Sequence, residues 1–179
     1  MRDEVYSDMK IAMTEQPTNL KEEDVVDTPV TENVQKEENN TNYVVDYSKY
    51  LGVLEIPKIG LKRGFYGTDS RYNSIEYNVT LVKGSTMPDA PNGNLILIAH
   101  SGDAYISYFA YLWRLGIGDN AFITYNGVQY QYQIVNIYNV EKSGIVVIHR
   151  NVEKNSLTLI TCTKDNDNSQ TIYIAERVG

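Results

Sequence analysis

The feature that most constrains this chain is the density of short apolar runs after Val44, each closed within a few residues by Gly, Pro, Asn or Asp. Runs of that length suit strands, and turn residues this frequent leave little room for long helices. Leu51-Gly52-Val53-Leu54-Glu55-Ile56-Pro57 reads as a strand stopped by proline, with Lys58-Ile59-Gly60-Leu61 following at once. Asn94-Leu95-Ile96-Leu97-Ile98-Ala99 is a continuous apolar run behind the turn Pro91-Asn92-Gly93, which predicts a buried central strand. The clearest hairpin joins residues 122–125 to 128–135 through Asn126-Gly127, a pair suited to the positive φ of a two-residue turn. Within it Tyr130, Tyr132 and Ile134 alternate with Gln129, Gln131 and Gln133, so one face is expected to be wet. Residues 145–148, 157–161 and 171–175 supply three more strands, and helices are expected only at 70–77 and 104–115. The pattern is mostly β, and roughly eight strands with two short helices predict a closed or nearly closed β-barrel.

Charge divides the chain at the same boundary. Residues 1–46 carry twelve Asp and Glu against four Lys and Arg, a net of −8, whereas residues 47–179 carry eleven against twelve, a net of +1. Clusters such as Lys21-Glu22-Glu23-Asp24 cannot bury enough apolar surface to offset chain ordering, so 1–43 is expected to be an acidic flexible linker and 44–179 the folded domain. No apolar stretch follows Met1, so these residues do not read as a signal peptide. The near-neutral body lacks the basic field that nucleic acid requires, and no run approaches the ~18 apolar residues of a membrane span. One cysteine precludes an internal disulfide and a Cys-based metal cluster, and two histidines leave little for a His-based site. Asp165 and Asp167, beside Asn166 and Asn168, resemble a calcium loop only loosely. Calcium needs six or more arranged oxygens, so a solvated loop is expected; no cofactor is expected, and calcium as a candidate is unsupported.

Two residues stand where chemistry is feasible. Cys162 ends the run Leu157-Thr158-Leu159-Ile160-Thr161 and opens a polar loop, a place where a side chain is held yet reachable. A free thiol has pKa ~8.5 and needs a proton acceptor or cationic partner to react at neutral pH. His100 meets that need in a mirrored context, ending the run 94–99 and opening Ser101-Gly102-Asp103. On these grounds alone a Cys–His pair competes with two unrelated structural residues. His149, after 145–148, is the rival partner and reads as a loop residue.

Leu157-Thr158-Leu159-Ile160-Thr161-Cys162 resembles the T-L-x-T-C signature of sortases, the cysteine transpeptidases of Gram-positive surfaces. Asn94-Leu95-Ile96-Leu97-Ile98-Ala99-His100 is similar to the strand that carries the sortase histidine. Leu54-Glu55-Ile56-Pro57-Lys58-Ile59 is similar to the family's opening strand, and Leu112-Trp113-Arg114-Leu115-Gly116-Ile117-Gly118-Asp119 to its L-x-x-L-x-x-G-D junction. The four motifs occur in family order over about residues 50–178. The resemblance implies an eight-stranded sortase barrel and a reaction at an L-P-x-T-G-like sorting motif of secreted proteins. Cys162 would attack the threonine carbonyl to give a thioacyl-enzyme, and an amine on a cell-wall precursor or pilin would resolve it. His100 would protonate the leaving amine and deprotonate the incoming one. It also implies a monomeric enzyme on the outer face of the membrane, expected to be tethered by a segment absent from this chain.

One departure stands out. The family places an arginine early in the last strand, and alignment by apolar pattern puts Gln170 there, ahead of Thr171-Ile172-Tyr173-Ile174. Glutamine donates hydrogen bonds but brings no charge. Arg177 lies ~23 Å further along a strand at ~3.3 Å per residue, so only Arg63, Arg71, Arg114 or Arg150 could approach through loops. Two other functions therefore stay open: a catalytically weak peptide-binding module that keeps the groove, and a cysteine peptidase that uses water. The aromatics Tyr105, Tyr108, Phe109, Tyr111 and Trp113 are expected mostly as packing on the barrel, with some forming a groove for an apolar peptide.

Overall fold

The computed structural model of the chain describes residues 46–179, and of the rest only the strand β1 (Arg2–Tyr6). The expected linker 1–43 otherwise lies outside the described residues. The remaining strands are β2 (Gly52–Ile56), β3 (Leu61–Phe65), β4 (Thr80–Leu81), β5 (Asn94–Ile98), β6 (Asn120–Tyr125), β7 (Val128–Glu141), β8 (Val146–Arg150), β9 (Ser156–Thr163) and β10 (Asn166–Arg177). Eight of them form one sheet in the order β3-β2-β6-β7-β10-β9-β5-β4, a nearly closed barrel. β8 stands outside that sheet and pairs with β1.

Side chains close the seam between the edge strands β3 and β4. Asn78 donates from Nδ2 to the Gly64 carbonyl at 2.8 Å and accepts from Arg63 Nε at 2.6 Å. Asn73 holds β4 from outside, donating to the Leu81 carbonyl at 2.9 Å and accepting from the Leu81 amide at 2.7 Å. An edge whose polar groups are covered in this way is a poor template for foreign strands.

The inner face is packed by Leu54, Ile56, Phe65, Leu95, Leu97, Phe109, Ile123, Tyr132, Leu157, Leu159 and Tyr173. Burial pushes the Tyr132 and Tyr173 hydroxyls up to about 12, so both stay neutral in this dry interior. A second apolar cluster covers part of the outer face, where Ile96, Ile98, Ile160, Ile172 and Ile174 meet Ile75, Val82 and the β8 residues Val146 and Ile148.

The Asn126-Gly127 turn forms as expected, with φ of 49° and 76°. Tyr130, Tyr132 and Ile134 face inward, and Gln129, Gln131 and Gln133 are more exposed. β7 then runs on past residue 135, through a bulge opposite Ile174 and Ala175. The extra residue reverses the side-chain parity, so Tyr138 and Val140 pack on the outer cluster.

Neither stretch expected to be helical forms an α-helix. Ile106, Phe109, Leu112 and Leu115 are all buried, and their spacing of three matches a succession of i→i+3 turns such as Leu112 N–H to the Phe109 carbonyl. Within 104–115 only Leu112–Arg114 is a 3-10 helix, and among the described residues the other is Pro57–Ile59. At 70–77 the Ser70 and Ser74 hydroxyls capture the amides of Tyr72 and Glu76, and Asn73 turns to β4, which favours turns over a helix. Of the aromatics expected to pack, Phe109 is in the core and Tyr108 lies against it, whereas Tyr105, Tyr111 and Trp113 are about half exposed. A string of turns has no common face on which to bury all five.

Candidate functional site

The one parallel pairing in the eight-stranded sheet builds the site. β5 and β9 run side by side in register, with Leu97 opposite Leu159 and Ile98 opposite Ile160. Because both strands run the same way, the residues that follow them leave the sheet together at one edge. The Ala99 amide donates to the Ile160 carbonyl at 3.3 Å, and Thr161 Oγ1 donates to the Ala99 carbonyl at 2.7 Å. Ser101 Oγ then donates to the Cys162 carbonyl at 2.9 Å. His100 therefore stands between two residues that are both tied to the strand end bearing Cys162. Its own carbonyl accepts from the Phe109 amide at 3.0 Å, which anchors the loop to the core.

β10 completes the arrangement. Gln170 pairs with Cys162 on one side and Val140 of β7 on the other. Residues directly opposite share a face, so Val140, Gln170 and Cys162 form a crosswise row, which the register of β5 extends to His100. The row lies on the outer face, at the end of the cluster built from Ile98, Ile160 and Ile172. On the reverse face, Thr163 Oγ1 bonds Ser169 Oγ and Thr171 Oγ1, each at 2.9 Å, and Thr171 Oγ1 donates to Asn139 Oδ1 at 2.8 Å. These hydroxyls lock β7, β9 and β10 together beneath the row.

Cys162 and His100 are half-buried, and Gln170 is buried. Burial pulls the His100 pKa below the ordinary histidine value, and the Lys142 ammonium pushes it in the same direction, so the ring is neutral at pH 7. Among the described residues, His100 Nε2 is buried with no hydrogen-bond partner. An orphaned ring nitrogen after the strand that neighbours the one bearing a thiol has the chemistry of a proton carrier awaiting its donor.

His149 is not in the row. It sits on β8 with its ring 5.1 Å from that of Tyr138, and its amide donates to the Tyr138 hydroxyl at 2.9 Å. Asp165 lies exposed in the β9–β10 turn and Asp167 exposed at the start of β10, and no cluster of His, Cys, Asp or Glu among the described residues could hold a metal ion. The arginines that could have come through loops are engaged elsewhere. Arg63 is buried on Asn78 and against the Tyr108 ring, Arg71 bonds the Tyr72 hydroxyl, and Arg114 stacks on Tyr111 and Trp113. Arg150 donates to the Asn92 carbonyl, and Arg177 to that of Pro88. Sequence reasoning passed over Ser101 and Lys142, since a loop serine and a strand-end lysine carry no local signal.

A barrel with its thiol and histidine at the ends of two parallel strands agrees with the comparisons. The family model described as Sortase domain matches residues 54–178, and the chain belongs to the sortase family. It is 25% identical over 136 residues to Sortase A of Bacillus anthracis, covering 75% of this chain and 62% of that protein. It is 30% identical over 125 residues to Sortase D of Bacillus subtilis (strain 168), covering 69% and 60%. The chain thus spans about 60% of the length of these curated relatives. Among solved structures, sortase C-1 from Actinomyces oris matches with a TM-score of 0.62 at 24% identity, covering 86% of this chain and 84% of that one. A pilus-related sortase C of Group B Streptococcus matches with a TM-score of 0.62 at 18% identity, covering 96% of both. At those identities the structures speak for the fold, and relatives lettered A, C and D leave the class unresolved.

Proposed function

We propose that this protein is a cysteine transpeptidase that cleaves an L-P-x-T-G-like sorting motif after the threonine and transfers the threonine acyl group, with the chain that precedes it, to an amine. The observation that carries the reading is the row that brings Cys162, His100 and Gln170 together at the ends of neighbouring strands in a sortase-family chain. Neutral His100 takes the thiol proton as the sulfur forms its bond to the threonine carbonyl carbon, and the carbonyl π pair moves onto oxygen. The oxyanion collapses, the C–N bond breaks, and imidazolium gives its proton to the leaving amine. An incoming amine reverses the steps: it attacks the thioester, His100 takes its proton, and the thiol is regenerated. The Gln170 amide, directly across from Cys162, is a donor for the oxyanion. Pilin and cell-wall amines are the acceptor classes that fit, and the pilus-related neighbour favours testing both. The proposed setting is the outer face of a Gram-positive membrane, with the chain acting as a monomer.

The test is incubation with a panel of sorting-motif peptides, with and without an amine, read by mass spectrometry. A thioacyl adduct on Cys162 and an amine-dependent product are expected, and His100→Ala should abolish both. Hydrolysis that ignores the amine would make the protein a cysteine peptidase. Peptide binding without any adduct would favour a weak binding module, a reading supported by the uncharged Gln170.

A further inference from the structure

The row contains no charge, yet the proposed reaction creates two anions in succession, a thiolate and an oxyanion. The arginines of the barrel are committed to Asn78, Tyr72, Tyr111 with Trp113, and the carbonyls of Asn92 and Pro88. One cation is placed differently. Lys142 follows β7 directly, and its amide donates to the Asn168 carbonyl at 2.9 Å, carrying the β7–β10 ladder one residue past the pairing of Glu141 with Ser169. Counting by twos from Val140, which opposes Gln170, puts Lys142 on the outer face beside the row. It stands about two strand spacings of ~4.8 Å across from Cys162 and ~6.6 Å along. Its ammonium bonds the Asp167 carbonyl at 3.1 Å, which leans the stem across β10 toward the β9–β10 turn. That bond uses one of three protons.

We infer that Lys142 supplies the positive charge that the Cys162 thiolate and the oxyanion formed from it require, in the place of the arginine that Gln170 does not provide. This rests on the transpeptidase reading for the oxyanion, but not for the thiolate. Its influence reaches the row, because the Lys142 charge is one of the causes that hold His100 neutral. The other charged groups around the row are arranged differently. Lys164 bonds the Asp165 carboxylate at 3.0 Å and lies 4.8 Å from the Trp113 ring centroid. Glu141 projects to the opposite face by parity, Asp103 and Asp167 are exposed, and His149 faces Tyr138. A cation here stabilises either anion as it forms and leaves the imidazole neutral to accept the proton.

The test compares Lys142→Met and Lys142→Arg in the full chain. Iodoacetamide alkylation of Cys162 is followed against pH, and thioacyl formation with a reactive sorting peptide is measured beside it. Lys142→Met should slow alkylation at pH 7 roughly three- to tenfold and move its profile to higher pH, because the thiolate loses its counter-charge. Thioacyl formation should fall by at least as much, with little change in KM, and Lys142→Arg should restore most of both. A Lys142→Met protein that alkylates like the parent across the pH range would overturn the assignment. If no peptide acylates the parent but the alkylation shift is seen, the transpeptidase reading fails and the role of Lys142 at the thiol stands.

Discussion

The two faces of β5, β9 and β10 are built from the same three runs of sequence and do different work. Inward go Leu95, Leu97, Leu157, Leu159 and Tyr173, in a continuous core that excludes water. Outward go Ile96, Ile98, Ile160 and Ile172, which are covered only as far as β8 and its neighbours extend, and then Cys162, His100 and Gln170. The inner face ends in hydroxyls that satisfy one another; the outer ends in a thiol and an unpartnered ring nitrogen. A strand alternates its faces every residue, so one sequence can fix a barrel with its odd positions and hold reactive groups rigid with its even ones.

Substitutions on either face should separate these roles. Cys162→Ala should remove thioacyl formation by at least about 10³-fold while shifting the melting midpoint little, since a small half-buried side chain is replaced by another. Leu159→Ala, one parity step from the thiol region and 1% exposed, should do the reverse. It should cost about 2–5 kcal/mol of stability, seen as a large drop in denaturant midpoint, with activity per folded molecule largely kept. Gln170→Ala should lower kcat roughly tenfold or more with KM little affected if its amide faces the oxyanion. The pH profile should be asymmetric in a way set by His100. Its folded pKa lies below the ordinary 6.5, so the unfolded chain binds more protons over the window between the two values. Stability from this group is therefore present above 6.5 and lost as pH falls toward the folded pKa, and the acid limb of kcat/KM should also lie below 6.5. The smallest effect belongs to His149→Ala, which should change turnover less than about twofold because its ring packs on Tyr138 outside the row. A loss equal to that of His100→Ala would mean the outer face is organised around β8.

Much of this was legible in the chain itself. The runs at 94–99, 157–161 and 171–175 became β5, β9 and β10, and the positions of Cys162 and His100 at strand ends could be read from where apolar residues stop. The apolar pattern placed Gln170 early in the last strand, and its pairing with Cys162 is information that only the fold supplies. Other features were not legible in the chain alone. β4 has two residues, too few for any period to show. The segment 145–148 looked like any strand, but β8 leaves the barrel, and pairing partners are non-local information. The bulge at residue 135 inverted the parity of Tyr138, Val140 and Lys142, so no count along β7 alone could place them on the outer face. Aromatics at 104–115 imitate helical spacing, while the buried set at intervals of three obeys a different period.

The parallel pairing of β5 with β9 has a consequence in time. His100 and Cys162 lie 62 residues apart, and antiparallel hairpins such as β6–β7 or β9–β10 can close early without bringing them together. Non-local parallel pairing carries a loop-closure cost that must be met before its contacts reward it, so it belongs among the late events of folding. A partly folded chain thus carries an ordinary thiol, remote from its histidine and from any charge held by the β7–β10 ladder. On the proposed reading, reactivity at Cys162 matures only as the barrel closes, and labelling of the thiol reports completed assembly.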